Sequence, residues 1–229
     1  MSDRKLRVIG HIKSGFKTKF GIPRQSGLAG DTKAQIVFEK PFRNPDFVRG
    51  LEGYSHIWLL WEFSECTSSG FTPTVRPPRL GGNKRMGVFA TRSPFRPNSI
   101  GLSSVELESI DYTDDGPILT VFGADLMDGT PIYDIKPYLP FTDSHPDATF
   151  GFSEEKFSNN LEVEFENGVE DGLSKELVQQ IISILSQDPR PSYQDDAERI
   201  YGMEFSGYEI KFKVSGTKLI VIDIKKAVH

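Results

Sequence analysis

Ile57-Trp-Leu-Leu-Trp61 is a short run of β-branched, aromatic and leucine side chains, and its reading decides the fold class. Runs of the same kind lie on both sides of it. Leu6 to Ile12 and Ile36 to Phe38 precede it, and Val88 to Ala90, Val105 to Leu107 and Ile118 to Phe122 follow, with Gly, Pro, Asn and Asp between them. Frequent strands without intervening helices exclude a βαβ rhythm and point to a closed or nearly closed antiparallel sheet. The expectation is a mainly β chain built on an antiparallel β-barrel. The connections Lys13 to Thr32, Cys66 to Lys84 and Met127 to Ser153 are too long for plain turns. Binding residues concentrate in such loops.

The pattern changes after Thr142-Asp-Ser-His-Pro-Asp-Ala. Leu161, Val163 and Phe165 alternate with Glu162, Glu164 and Glu166, as in a strand with one buried face. Leu173, Leu177, Ile181, Ile184 and Leu185 form one helical stripe ended by Asp188-Pro189. Tyr208, Ile210, Phe212 and Val214 then alternate up to Ser215-Gly216, with a second apolar run from Leu219 to Ile224, which predicts a hairpin with a two-residue turn. The chain therefore divides into a barrel of residues 1–152 and a small C-terminal α+β unit of residues 153–229. A unit of that size is near the lower limit for independent stability and is expected to lean on the barrel.

Composition bounds the function. With 37% hydrophobic and 26% charged residues in 229, the chain has the make-up of a soluble globular protein. It has no run long and apolar enough for a membrane span, and Met1-Ser-Asp-Arg-Lys lacks the apolar core of a signal peptide, so a cytoplasmic protein without membrane association is expected. The single cysteine, Cys66, excludes an internal disulfide. His11, His56, His145 and His229 lack ligand spacing, so no metal is expected. The net charge of −5 argues against nucleic acid on average, but its distribution argues otherwise. Arg76, Arg79, Lys84, Arg85, Arg92 and Arg96 stand in one segment without an acidic residue, while Glu154, Glu155, Glu162, Glu164, Glu166, Glu170 and Asp171 crowd the C-terminal unit.

No Rossmann glycine fingerprint, phosphate loop, nucleophile elbow or zinc-protease motif is present. The most unusual stretch runs from Arg76-Pro-Pro-Arg-Leu-Gly-Gly to Phe95-Arg-Pro-Asn98. Its prolines and glycines display arginines from a shaped loop, where they can grip phosphate or carboxylate or stack on a base. The same arginines can equally form a solvated basic loop. Interleaved Phe89 and Phe95 favour recognition. Asp125-Leu-Met-Asp-Gly-Thr-Pro-Ile-Tyr-Asp-Ile-Lys-Pro-Tyr138 follows a predicted strand. There Asp128-Gly129 either faces a ligand or is a tight turn capped by its own aspartate. Pro23-Arg24-Gln25 can bind or merely turn, Cys66 is a small buried apolar residue or a nucleophile, and His56 is a packing residue or a base.

These segments, in this order, resemble the TsaA/TrmO family of tRNA N6-adenosine methyltransferases. The matching stretches include Pro23-Arg-Gln-Ser-Gly27, Val48-Arg-Gly-Leu-Glu-Gly-Tyr-Ser-His-Ile-Trp58, Met86-Gly-Val-Phe-Ala-Thr-Arg-Ser93, Ile100-Gly-Leu102 and, late in the chain, Asp188-Pro-Arg-Pro-Ser-Tyr193. The resemblance implies a β-barrel enzyme that binds S-adenosylmethionine without a Rossmann fold, works as a homodimer and methylates N6 of threonylcarbamoyladenosine beside the tRNA anticodon. Carried over by position, the cofactor contacts are Pro23, Arg24, Gln25, Ser64, Glu65, Arg92, Leu102, Asp128, Gly129, Thr130 and Pro131, with Ser64-Glu65 standing where some relatives have a His-containing pair. Arg76, Arg79, Lys84, Arg85 and Arg96 are the candidates for tRNA. No general base is identified; Tyr138, Asp134 and His56 are candidates. Two other readings remain open: a non-catalytic RNA-binding module, and a small-molecule methyltransferase of the same fold.

Overall fold

The computed structural model describes residues 5–77, 84–149, 151–153, 160–190 and 196–227. Six strands close a barrel: β1 (Gly10–Ser14), β2 (Lys33–Phe38), β3 (His56–Glu62), β6 (Ile100–Thr113), β7 (Gly116–Phe122) and β8 (Pro131–Pro137), in the order β1-β2-β7-β6-β3-β8 with every pair antiparallel. Period-2 patterning fixes which side chains enter. On β3, Ile57, Leu59 and Trp61 point into the core while His56, Trp58 and Leu60 face out. They meet Ile12, Ile36, Val105, Leu119, Val121 and Ile132 from the other strands. Beside the barrel lies a two-stranded ribbon, β4 (Thr74–Val75) with β5 (Met86–Gly87), and a single helical turn, α1 (Pro140–Asp143), follows β8.

The C-terminal unit is a sheet ordered β10-β11-β12-β9, from β9 (Glu162–Phe165), β10 (Tyr201–Phe205), β11 (Tyr208–Ser215) and β12 (Lys218–Lys226). Helix α2 (Lys175–Leu185) starts where the Ser174 hydroxyl accepts the Leu177 backbone N–H at 3.2 Å. It buries Ile181, Ile184 and Leu185 in the unit's own apolar cluster. That cluster also contains Phe16 and Ala29 from the β1–β2 connection. Phe16 packs on Phe205 with ring centroids 5.0 Å apart, and the Ser206 backbone N–H donates to the Gly15 carbonyl at 2.9 Å. A side chain at Gly15 would meet the Phe205 ring at 2.5 Å, so the approach needs glycine.

Several sequence expectations change. Val88 to Ala90 is a 3-10 turn rather than a strand, closed by the Thr91 hydroxyl and backbone N–H on the Val88 carbonyl. β1 begins at Gly10 rather than Leu6. The connection expected from Met127 to Ser153 contains β8, which closes the barrel. β10 was not anticipated; it joins β11 through Ser206 (φ 50°) and Gly207 (φ 77°), two left-handed residues as a type I′ turn requires. The β11–β12 turn is Gly216-Thr217, one residue later than expected, because Ser215 still pairs with Lys218.

Candidate active site

One end of the barrel opens into a cleft of about 640 Å³, a volume suited to a small-molecule cofactor. Its floor comes from β3 and β6, with Trp61 and Glu62 beside Ile100, Gly101 and Leu102. The β7–β8 connection adds Asp125, Met127 and Thr130, and the β1–β2 connection adds Lys19, Ile22, Pro23, Arg24 and Gln25. Phe63 to Cys66 and the segment with Thr91, Arg92, Arg96 and Asn98 complete the rim.

Trp61 lies directly across from Gly101, where a methyl group would sit 2.2 Å from the indole Cε2. Glycine is thus what lets the ring lie flat over β6. The indole Nε1–H donates to the Ser103 hydroxyl at 3.0 Å, and that hydroxyl donates to Asp125 Oδ1 at 2.6 Å. Burial raises the Asp125 carboxyl above the ordinary aspartate range, opposed by the Ser103 hydrogen bond and the charge of Arg92. Arg92 donates to the Gln25 side-chain carbonyl. Arg24 donates to the Arg190 carbonyl at 3.1 Å, where Arg190 itself grips Asp188 through Nε and Nη2 at 2.9 and 3.0 Å. On the neighbouring shallow surface Tyr133 donates to Glu62 at 2.6 Å, and burial, with this bond, pushes its hydroxyl up to about 12.

Of the positions inferred from sequence, Pro23, Arg24, Gln25, Ser64, Glu65, Arg92, Leu102 and Thr130 line this one cleft. Asp128, Gly129 and Pro131 flank it. The Asp128 carboxylate does not cap its own turn; it accepts the Ser14 backbone N–H at 3.0 Å and pairs with Lys17 at 2.6 Å, while Gly129 takes a φ of 80°. Arg96, expected on the tRNA side, lines the cleft as well. Arg76, Lys84 and Arg85 are exposed on the segments around β4 and β5 and do not line it; Arg79 lies outside the described residues.

The three base candidates lie elsewhere. His56 is exposed against Ser55 Oγ at 3.0 Å, Tyr138 packs on the Trp58 ring at 5.6 Å, and Asp134 pairs with Lys136 at 3.0 Å. Sequence reasoning gave no role to Trp61, Gly101, Ser103 or Asp125. The only signal for them was a glycine inside a strand and an aspartate at the head of a motif. Among the described residues no group of three or more His, Cys, Asp or Glu side chains could hold a metal ion, and no helix is long and apolar enough to cross a membrane.

The residues suit S-adenosylmethionine chemically. Leu102, 52% exposed, and the apolar faces of Ile22, Pro23 and Phe63 can receive a purine. Asp125 and Glu65 suit cationic groups, and Arg24, Arg92 and Lys19 suit a carboxylate.

Comparison with known proteins agrees. Residues 11–144 match the family model described as the tRNA-methyltransferase O N-terminal domain, and residues 157–227 match the TrmO C-terminal domain. The chain is 43% identical over 223 residues to a tRNA (adenine(37)-N6)-methyltransferase of Escherichia coli, covering 94% of this chain and 95% of that protein. It is 39% identical over 225 residues to a putative S-adenosylmethionine-dependent methyltransferase of Pseudomonas aeruginosa, covering 94% and 95%. A crystal structure of TrmO from Pseudomonas aeruginosa superposes with a TM-score of 0.78 at 31% identity, covering 98% of this chain and 100% of that one.

Proposed function

The chain belongs to the tRNA-methyltransferase O family, and from that premise we propose that it transfers the methyl group of S-adenosylmethionine to N6 of adenosine 37 in tRNA, with the threonylcarbamoylated base as acceptor. The observation that carries this reading is the convergence on one cleft of residues from five separate stretches, Pro23 to Gln25, Ser64-Glu65, Arg92, Leu102 and Thr130. A module that only binds RNA has no use for such a cleft, since charge and exposed aromatic rings suffice to hold a single strand.

When bound, the cofactor supplies an electrophilic methyl group. The protein's own part is to hold, orient and exclude water. Arg92, held by Gln25, would meet an anionic group of the cofactor, and Pro23 and Leu102 would offer apolar surface to its ring. Holding the acceptor nitrogen within about 3–3.5 Å of the methyl carbon supplies much of the rate. The exposed cations Arg76, Lys84 and Arg85 give phosphate contacts outside the cleft. Flipping the base out of the anticodon-loop stack brings N6 to the cleft.

In this reading residues 1–152 carry catalysis and residues 153–229 brace the β1–β2 connection. The working form is a homodimer in the cytoplasm, where tRNA is found. Phe71, Phe89 and Phe95 support the dimer: they are 69%, 77% and 39% exposed on neighbouring segments tied by the Thr72 N–H to Phe95 carbonyl bond. The test is transfer of labelled methyl to tRNA with and without the threonylcarbamoyl group, with sedimentation of the same preparation. Transfer to the modified tRNA alone, by a dimer, is expected. Equal transfer to both tRNAs contradicts the acceptor, and a fully active monomer contradicts the assembly.

A further inference from the structure

We propose that Asp125 is the catalytic residue that takes the proton from the acceptor nitrogen, held for that task by Ser103 and Trp61 acting from behind the cleft. The inference rests on the methyl-transfer reading above. It begins from hydrogen-bond arithmetic. An indole N–H can only donate, so the Ser103 oxygen accepts from Trp61 Nε1, and because an ionised Asp125 can only accept, the Ser103 hydroxyl donates its proton to Asp125 Oδ1. The direction of the relay is therefore fixed, and it presents Asp125 with a donor. A carboxylate so placed is kept as an acceptor.

The location agrees. Asp125 and Trp61 line the cleft, whereas Ser103 is 1% exposed and does not. Asp125 thus stands between a buried support and the open ligand space. The other carboxylates of the cleft are engaged: Glu62 accepts the Tyr133 hydroxyl at 2.6 Å, and Glu65, more than half exposed, pairs with Lys19 at 4.0 Å. Burial acts most strongly on Asp125 and favours the acid, against the Ser103 hydroxyl, the backbone N–H groups of Asp125 itself and Ser26, and the Arg92 charge, all of which favour the anion. A carboxyl raised above the ordinary aspartate range is a better proton acceptor when ionised than an exposed one.

The step balances. The lone pair on N6 forms the new bond to the methyl carbon, the carbon–sulfur bond breaks with its electron pair going to sulfur, which becomes a neutral thioether, and the N6 proton passes to Asp125, which becomes the neutral acid and later returns the proton to water. Ser103 and Trp61 are positioning residues. They touch neither cofactor nor acceptor in this account.

The experiment compares the full-length wild type, Asp125→Asn and Ser103→Ala in three measurements. These are calorimetric binding of S-adenosylhomocysteine, single-turnover methyl transfer to threonylcarbamoylated tRNA between pH 5.5 and 9, and the carbon-13 shift of the Asp125 carboxyl against pH. Asp125→Asn is expected to bind the thioether within threefold of wild type while transferring at least about 100-fold more slowly. Ser103→Ala is expected to fold, to lose less rate, and to move both the acidic limb of the profile and the carboxyl titration to higher pH, because a donor to the anion has gone. A single-turnover rate in Asp125→Asn within threefold of wild type overturns the proposal. So does a loss confined to thioether affinity, which marks Asp125 as an anchor for the ligand's positive charge. An unmoved titration in Ser103→Ala overturns the positioning role. Absence of transfer by the wild type overturns the methyl-transfer reading itself, and this proposal with it.

Discussion

Adding one methyl group at position 101 tests the architecture beneath the cleft. In Gly101→Ala the new carbon would lie 2.2 Å from Trp61 Cε2, 2.4 Å from Cζ2 and 2.6 Å from Cδ2 of the same ring. These atoms belong to a rigid indole packed on Phe63 at 4.3 Å between centroids, so the ring must move as a body. Overpacking a well-filled core costs about 1–3 kcal/mol. Moving the indole also breaks its bond to Ser103, worth about 1 kcal/mol. The sum is about 2–4 kcal/mol, which for a chain of this length lowers the melting temperature by about 4–16 °C. Calorimetry measures the shift, and tryptophan fluorescence reports whether Trp61 has moved. In a double-mutant cycle Gly101→Ala should cost less in a Trp61→Phe background, since the smaller ring vacates part of the contested volume. A melting shift below about 2 °C with unchanged fluorescence would refute the reasoning, because it would mean that the strands separate without disturbing the ring.

Arg92→Ala should weaken S-adenosylhomocysteine binding by about 10- to 100-fold, the value of a charge-assisted bond, in a titration; unchanged affinity would remove Arg92 from the cofactor side of the cleft. Arg76→Ala, and separately Arg85→Ala, should leave that affinity alone and reduce the slope of log tRNA affinity against log salt by roughly 0.7–0.9 per lost phosphate contact; an unchanged slope would remove them from the RNA path. For Asp125 the sign of the pH effect is set by its raised carboxyl value. The folded chain binds that proton more readily than the unfolded one, so the carboxyl costs stability increasingly as pH rises from the ordinary aspartate range through the folded value, and the cost is then constant. The melting temperature of Asp125→Asn relative to wild type should therefore be higher at pH 8 than at pH 4, and the opposite ordering would contradict the raised value. Ending the chain at residue 152 strips the cover from Phe16, Phe20 and Ile22 and should weaken thioether binding at least about tenfold, since ordering each loosened residue costs about 1–2 kcal/mol; full affinity in the truncated chain would show that the cleft does not need the second unit.

The barrel was legible because period-2 patterning survives in β3 and β7, whose inward residues are apolar in sequence as well as in space. β8 escaped notice because Pro131 and Pro137 bracket it and Asp134 and Lys136 punctuate it, although a proline at the first strand position removes no needed donor. Val88 to Ala90 misled for the opposite reason. Three apolar residues carry no period, and their conformation is set by Thr91 closing the turn. The cleft residues that sequence could find lie in contiguous motifs. The relay it could not find joins Trp61 to Ser103 across 42 positions and Ser103 to Asp125 across 22, and depends on strand register that no motif encodes.

The β1–β2 connection explains why the two units act together. Its first residues are held to the barrel, where Ser14 donates its hydroxyl to the Leu126 carbonyl and its backbone N–H to the Asp128 carboxylate, and its far end is tied back by the Gly27 N–H to Gly123 carbonyl bond at 2.9 Å. Phe16, between those ties, and Ala29, just beyond them, are buried in the C-terminal cluster, and Arg24 reaches the Arg190 carbonyl. The residues between the buried anchors, Pro23, Arg24 and Gln25, form a wall of the cleft, and Gln25 holds Arg92 in turn. The small unit thus completes its core with barrel residues, and the barrel obtains a fixed cleft wall from the same contacts. Neither the order of that wall nor the orientation of Arg92 follows from the barrel strands alone, so loosening Phe16 from Phe205 is expected to disturb the cleft wall and weaken any ligand held against it.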